Sequence, residues 1–213
     1  MIAGHLSAFI MYIPKQYLNE DQDQIREFLK NNAFGILICT GTGNPMATHL
    51  PLEFEEGGNG MGLLHGHFAR ANPQWKHIGE GEEVLCIFSG PHCYISSSWY
   101  QEEEVPTWNY MAVHVRGQYR KQSEEELWAS LHKLVDTYEK DSDQPLSLHQ
   151  LSPGTLRQVR GIVGFEISIT SLEAVYKLSQ GREADHPRIM DELRKRGGAS
   201  ASVAEAMKRF NRS

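Results

Sequence analysis

The chain has 213 residues, 40% of them hydrophobic and 23% charged, with a formal net charge of −6 at pH 7. That length buries one sizeable core, or one core with a small appendage, and with this acidic balance bulk attraction to nucleic acid or anionic membrane is not expected. The charge is uneven: residues 186–213 carry seven Lys/Arg against three Asp/Glu, and the rest of the chain 14 against 24. A basic tail on an acidic body reads either as a solvated helix face or as a contact for a polyanion.

Cys39, Cys86 and Cys93 are odd in number and lack CxxC spacing. The first two sit in apolar runs, where a thiol behaves as a small hydrophobe. No disulfide framework or structural zinc site is implied, and a reducing cytoplasm is the expected setting. The N-terminal MIAGHLSAFIMYIPKQY lacks the features of a signal peptide. No run approaches the roughly 20 apolar residues of a membrane helix, so no membrane partner is expected.

In chain order, the first 13 residues are weakly patterned, with Met11 a second candidate start. Asn19 or Asp21 can cap a helix over about 21–31, with Ile25, Phe28 and Leu29 on its apolar face. FGILICT at 34–40 reads as a strand buried on both faces, and GTGNP at 41–45 as a hairpin turn. In PMATHLPLEFEE, Met46, Thr48, Leu50, Leu52 and Phe54 share one face. EEGGNG at 55–60 turns the chain into a third strand, GLLHGHFAR. Asn72 caps a short helix that starts with Pro73, and EEVLCIF at 82–88 is a fourth, buried strand. SGPHCYISSSWYQEEE at 89–104 reads as a long connection. Residues 105–120 alternate with period two, Met111, Val113, Val115 and Tyr119 on one face and Ala112, His114, Arg116 and Gln118 on the other.

Ser123 and Glu126 have capping-box spacing at the start of a helix striped by Leu127, Leu131, Leu134, Val135 and Tyr138. Ser152-Pro153 starts a helical turn. GIVGFEISI at 161–169 is a last strand, with Val163, Phe165, Ile167 and Ile169 on one face, and two helical segments around Gly197-Gly198 finish the chain. Six strands, short turns and a helical tail predict a mainly β protein, a small antiparallel barrel with helices, closed to remove its edges.

Several groups could carry chemistry. His65 and His67 project to one face of their strand, and His49 and His114 lie on neighbouring runs. Such imidazoles either ligate a metal or line a polar cleft as hydrogen-bonded groups; no carboxylate or cysteine has matching spacing, so no metal is expected. Arg70 precedes the helix start at Asn72, a pairing that suits a phosphate, with Lys76, His67 and Thr48 nearby, and that reads equally as a cap beside a surface arginine. Trp108, Asn109 and Tyr110, with Trp99 and Tyr100, could stack a planar heterocycle while the Asn reads its edge, or could be core or subunit interface. No nucleophile elbow, Walker A or dinucleotide fingerprint is present, and no residue is assigned a catalytic role. In the tail, a DNA-reading helix-turn-helix would need a fuller apolar core than Ile189, Met190, Leu193, Val203 and Met207 supply.

Taken together, MYIP at 11–14, THLP at 48–51, GHFARANPQW at 66–75, SGPHCYISSSWY at 89–100, VPTWNY at 105–110 and YKLSQ at 176–180 resemble the PaiB family, FMN-binding transcriptional regulators of the Bacillus sporulation and protease-synthesis operon. The likeness runs in one register from about Met11 to past residue 200. It implies an N-terminal extension at 1–10, a split-barrel FMN-binding-like domain at 11–180 and a basic helical tail at 181–213. It also implies an antiparallel flavin-reductase-like split barrel, similar to pyridoxamine-phosphate oxidase, that forms a homodimer with FMN in two symmetric clefts. By that resemblance Thr48, His49 and Leu50 would lie beside the flavin ring, and His65, His67, Arg70 and Asn72 around the ribityl-phosphate. Oxidase relatives surround the phosphate with several basic residues; here Arg70 and Lys76 are the ones in place. The implied function is negative regulation of sporulation and protease-synthesis genes, with operator DNA as a partner. The alternative is a flavin-dependent oxidoreductase or haem-handling enzyme of the same superfamily.

Overall fold

The computed structural model describes residues 11–41, 43–57 and 60–211, so the extension expected at 1–10 lies outside the described residues. After a 3-10 turn at Lys15–Tyr17 come the short strand β1 (Leu18–Asn19) and helix α1 (Gln22–Asn31). Asp21 caps α1 by accepting the amides of Asp23 and Gln24, and Ile25, Phe28 and Leu29 are buried as expected. β2 (Phe34–Cys39) and β3 (Met46–Pro51) form one hairpin, and β4 (Glu53–Glu55) and β5 (Leu63–Ala69) a second. A 3-10 turn at Pro73–Lys76 precedes the long strands β6 (Glu83–Ile95) and β7 (Thr107–Lys121). Then follow α2 (Glu124–Glu139), the single turn α3 (Pro153–Leu156), β8 (Ile162–Lys177), α4 (His186–Arg196) and α5 (Gly198–Phe210).

The strands form one sheet in the order β3-β2-β6-β7-β8-β5-β4, with β1 added on β8. Each pairing whose register is known is antiparallel, which gives the mainly β class that the alternating runs predict. The eight strands exceed the six expected from sequence for two reasons. β1 is two residues long and has no periodicity to read. PMATHLPLEFEE, read as one strand, breaks at Leu52, whose amide bonds to Ala33 O. β3 therefore pairs with β2, and β4 with β5.

Three further expectations are corrected. The run at 34–40 is not buried on both faces: burial alternates along β2, and Phe34 is 67% exposed. The connection expected at 89–104 is half strand, because β6 continues to Ile95. Gly90 and Pro91 read as loop punctuation, yet Gly90 is there for clearance: a Cβ on it would stand 2.6 Å from the ring of Phe28. On α2 the capping box forms as predicted, but of its apolar stripe only Leu127 is buried; Leu131, Leu134 and Val135 are half-buried and Tyr138 is exposed.

The chain packs as two compact units. One comprises Met1–Phe28, Ser89–His114 and Glu173–Ser213, the other Leu29–Phe88 and Val115–Leu172. The core of the first includes Ile95, Val113, Val175 and Leu178 together with Ile189, Leu193, Val203 and Met207 of α4 and α5, all at most 1% exposed. These are the tail residues whose apolar supply looked thin in sequence. The core of the second is centred on Phe165, whose ring lies 4.8 Å from Phe68 and 5.5 Å from Tyr119, centroid to centroid.

Gly117 of β7 shows how closely that second core is packed. A Cβ there would stand 2.4 Å from Ile167 Cγ2 and 2.6 Å from the carbonyl oxygen of Ser168, and backbone cannot swing aside. Gly117→Ala is therefore expected to cost about 1–3 kcal/mol, read as a lower urea midpoint with an unchanged slope.

Candidate functional site: the outward face of β3 and β5

Along β3 and β5 the core-facing positions are Leu50, Leu64 and Phe68. The period of two then turns His49, Pro51, His65 and His67 to the other face. Register fixes the surroundings of His65, since Glu53 is opposite it on β4 and Glu166 opposite it on β8. Its Nδ1 is 3.2 Å from Gln122 Nε2 and 3.9 Å from Glu166 Oε2. Its Nε2 is 3.3 Å from Glu55 Oε2 but out of hydrogen-bonding geometry. Charges continue outward from there: Arg120 holds Glu126 at 2.9 and 3.0 Å and reaches Glu166 at 3.3 Å, and Lys133 binds Glu55 at 2.7 Å.

Helix α2 lies over this face. Ser130, Leu131 and Leu134 bound a gap with Pro51, His65 and His67 of only about 20 Å³, the room of a single water. His65 and His67 are thus covered, whereas His49, beside the ring of Phe34 at 6.4 Å, is exposed. Leu50 is in the core and offers a ligand only its backbone.

The groups at the far end of β5 are committed internally. Gln74, 1% exposed, donates from Nε2 to Leu37 O and Met46 O, both at 3.2 Å. The Thr48 hydroxyl donates to Gln74 Oε1 at 2.5 Å and accepts from Asn72 Nδ2 at 2.8 Å. Asn72 caps as predicted, but its Oδ1 takes the amide of Gln74 at 2.9 Å. The helix it starts is a four-residue 3-10 turn, so the array of free amides that an anion site would use is not formed there. Arg70 donates from Nε to Arg160 O at 2.7 Å and from Nη2 to Ile162 O at 2.9 Å, leaving Nη1 for a ligand. Lys76 rests 5.5 Å from the Trp75 ring.

The structure thus gathers Thr48, His49, Leu50, His65, His67, Arg70, Asn72 and Lys76 in one unit. Trp108, Asn109 and Tyr110 belong to the other. Asn109 is fully buried and donates to Ser179 Oγ at 2.8 Å, while Trp108, 49% exposed, stacks on His92 at 6.0 Å and donates from Nε1 to its Nδ1. Among the described residues no three His, Cys, Asp or Glu side chains come together to hold a metal ion. Sequence reading missed Gln74, Gln122 and Glu166, which position the groups it did find. Their signals were faint: a Gln inside the NPQW cap, a Gln before a capping box, and a carboxylate on the outward face of an otherwise apolar strand.

Burial depresses the pKa of His67, and that of His114 in the other unit, where Glu173 works weakly in the opposite direction. A histidine with a lowered folded-state pKa stabilises fully above its unfolded value of about 6.5, and the contribution is lost as pH falls through the folded value. The urea midpoint is therefore expected to drop between about pH 7.5 and pH 5.5. His67→Gln should reduce that drop, read from denaturation curves at the two pH values.

The family described as "Putative FMN-binding domain" matches residues 11–171. Protease synthase and sporulation protein PAI 2 of Bacillus subtilis is 42% identical over 92% of this chain and 96% of its own. Among solved structures, the FAD and heme binding protein of Mycobacterium smegmatis superposes with a TM-score of 0.60 at 10% identity, over 76% of this chain and 73% of its own. The flavocytochrome Anf3 of Azotobacter vinelandii also gives 0.60, at 16% identity over 80% and 75%. The fold is the antiparallel split barrel of flavin-reductase-like proteins, and the cofactor for which the matched domain is named is FMN. On sequence and fold together, this chain belongs to the PaiB family.

Proposed function

We propose that the chain is a PaiB-like negative regulator of sporulation and protease-synthesis genes, acting as a homodimer that binds FMN and operator DNA. The observation that carries this reading is the 42% identity across 92% of the chain to a protein named for protease synthesis and sporulation.

The residues around the outward face of β3 fit a flavin at one end and constrain it at the other. His49 is open for a ring lying along β3. Arg70, with two of its donors fixed on carbonyls, keeps Nη1 for a phosphate, and Lys76 supplies a second cation on the following turn. Thr48 and Asn72 act through Gln74 as positioning residues, and His65 and His67 shape the face from beneath α2. Bound FMN would supply a planar, redox-active ring; the chain's own residues bind it and set its orientation. The exposed pair Trp108 and Tyr94, rings 6.2 Å apart, is the aromatic surface offered to a second copy.

A second reading, a flavin-dependent oxidoreductase or haem-handling enzyme, is favoured by the two solved structures above, whose names record FAD and haem in one and a flavocytochrome in the other. The exposed His49 is the imidazole it would use.

Gel filtration after incubation with FMN should leave a flavin absorption band on a dimer-sized peak. Arg70→Ala should weaken retention by about tenfold or more, since a hydrogen bond to a charged group contributes about 1.5–3 kcal/mol. A mobility-shift assay on the chain's own upstream DNA should give a specific complex. Absence of any shift, with and without FMN, would remove the regulator and leave the enzyme.

A further inference from the structure

We propose that the Leu29–Phe88 and Val115–Leu172 unit carries a second ligand site, distinct from the outward face of β3, that takes an organic phosphate of nucleotide size. A cavity of about 720 Å³ opens between the end of β7, the first turns of α2 and the segment 153–164. Sites for small molecules span roughly 300–1,000 Å³, so a mononucleotide fits by size.

Charge supplies the chemistry. Lys121, Arg157 and Arg160 line this cavity, against one carboxylate, Glu124; Arg70 also borders it, but its free donor belongs to the flavin reading above. This concentration of cations occurs in a chain whose formal net charge is −6. Several arginines elsewhere are paired within the chain: Arg116 with Glu83, Arg120 with Glu126, Arg182 with Glu104, Arg194 with Glu205 and Arg209 with Glu27. Arg157 and Arg160 are in no ion pair among the described residues, and both are exposed. Unpaired guanidinium groups converging on one concave surface suit a multivalent anion, because their planar donor forks match phosphate oxygens in pairs.

The remaining wall is apolar, with Leu127, Leu156 and Val159 beside the indole of Trp128. An inorganic anion would leave that wall unused, whereas a planar heterocycle can stack on the indole. Glu124, the one carboxylate lining the cavity, is an acceptor for a ring amino group. Anion clamp, stacking wall and single acceptor together describe a nucleoside phosphate.

Adenosine monophosphate, titrated into the full chain and followed by calorimetry and tryptophan fluorescence, tests this site. Saturable binding is expected, weakening as salt rises, and the double variant Arg157→Ala/Arg160→Ala should weaken it at least about tenfold. Trp128→Leu should bring adenosine monophosphate down to the affinity of inorganic phosphate. FMN retention should stay unchanged in both variants, since neither touches the outward face of β3. The proposal is overturned if the wild-type chain binds neither adenosine monophosphate nor ATP at millimolar concentration, or if the double variant binds like wild type. It is also overturned if FMN is lost together with adenosine monophosphate, because the cavity would then be the flavin's own. Both arginines are exposed, and an unchanged urea midpoint separates loss of binding from loss of fold.

Discussion

The second unit depends on how Arg70 is held. β5 and β8 run antiparallel with Ala69 opposite Ile162, and just beyond that pair the backbone amide of Arg70 bonds to Gly161 O while its guanidinium bonds to Arg160 O and Ile162 O. One residue therefore satisfies three carbonyls that the end of a strand pair would otherwise leave to water. The bonds tie the 3-10 turn at Arg157–Gly161 to the end of β5. They also fix where the cation points. An arginine used in this way is first a structural staple, and only its remaining donor is available to a ligand.

The same economy governs the rest of the site. Thr48, Asn72 and Gln74 read as polar groups waiting for a ligand, but they hold β2, β3 and the turn at Pro73 together. Gln74 is the hub because a buried amide must find partners for both of its ends, and it finds them on Leu37, Met46 and Thr48. Likewise His65 is bordered by Gln122, Glu55 and Glu166 beneath α2. The polar residues of this face are thus mainly the means by which a helix is laid on a sheet. His49 stays exposed, beside the ring of Phe34.

What could be read from sequence follows from periodicity and local chemistry. Met111, Val113, Val115 and Tyr119 all turn inward, because a period of two survives any register. The capping box at Ser123 and the cap at Asn72 form because each is closed within three residues. Strand limits were harder. Gly90-Pro91 signals a loop by composition, but clearance from Phe28 made glycine the residue that lets β6 continue. The break at Leu52 depends on an amide turning to Ala33, 19 positions away in sequence, and no local pattern encodes such a partner. The site was legible as residue types and illegible as availability, since availability is decided by which donors the fold has already used.

That distinction also bears on charge. The basic tail looks in sequence like a surface for a polyanion, yet Arg194 and Lys195 bind Glu205 and Glu192, Arg209 binds Glu27, and Arg196 lies 4.4 Å from the ring of Trp99. Counting cations along the chain finds the tail, whereas asking which cations without carboxylate partners line one cavity finds Arg157 and Arg160. Neither was conspicuous in sequence, because each stands alone in a mixed polar stretch and their convergence with Lys121 requires the fold. In an acidic protein the electrostatic field near an anion is set by cations left uncompensated at close range, where screening is weakest. On that argument the concave surface beside α2, more than the tail, is where an added nucleoside phosphate would be held.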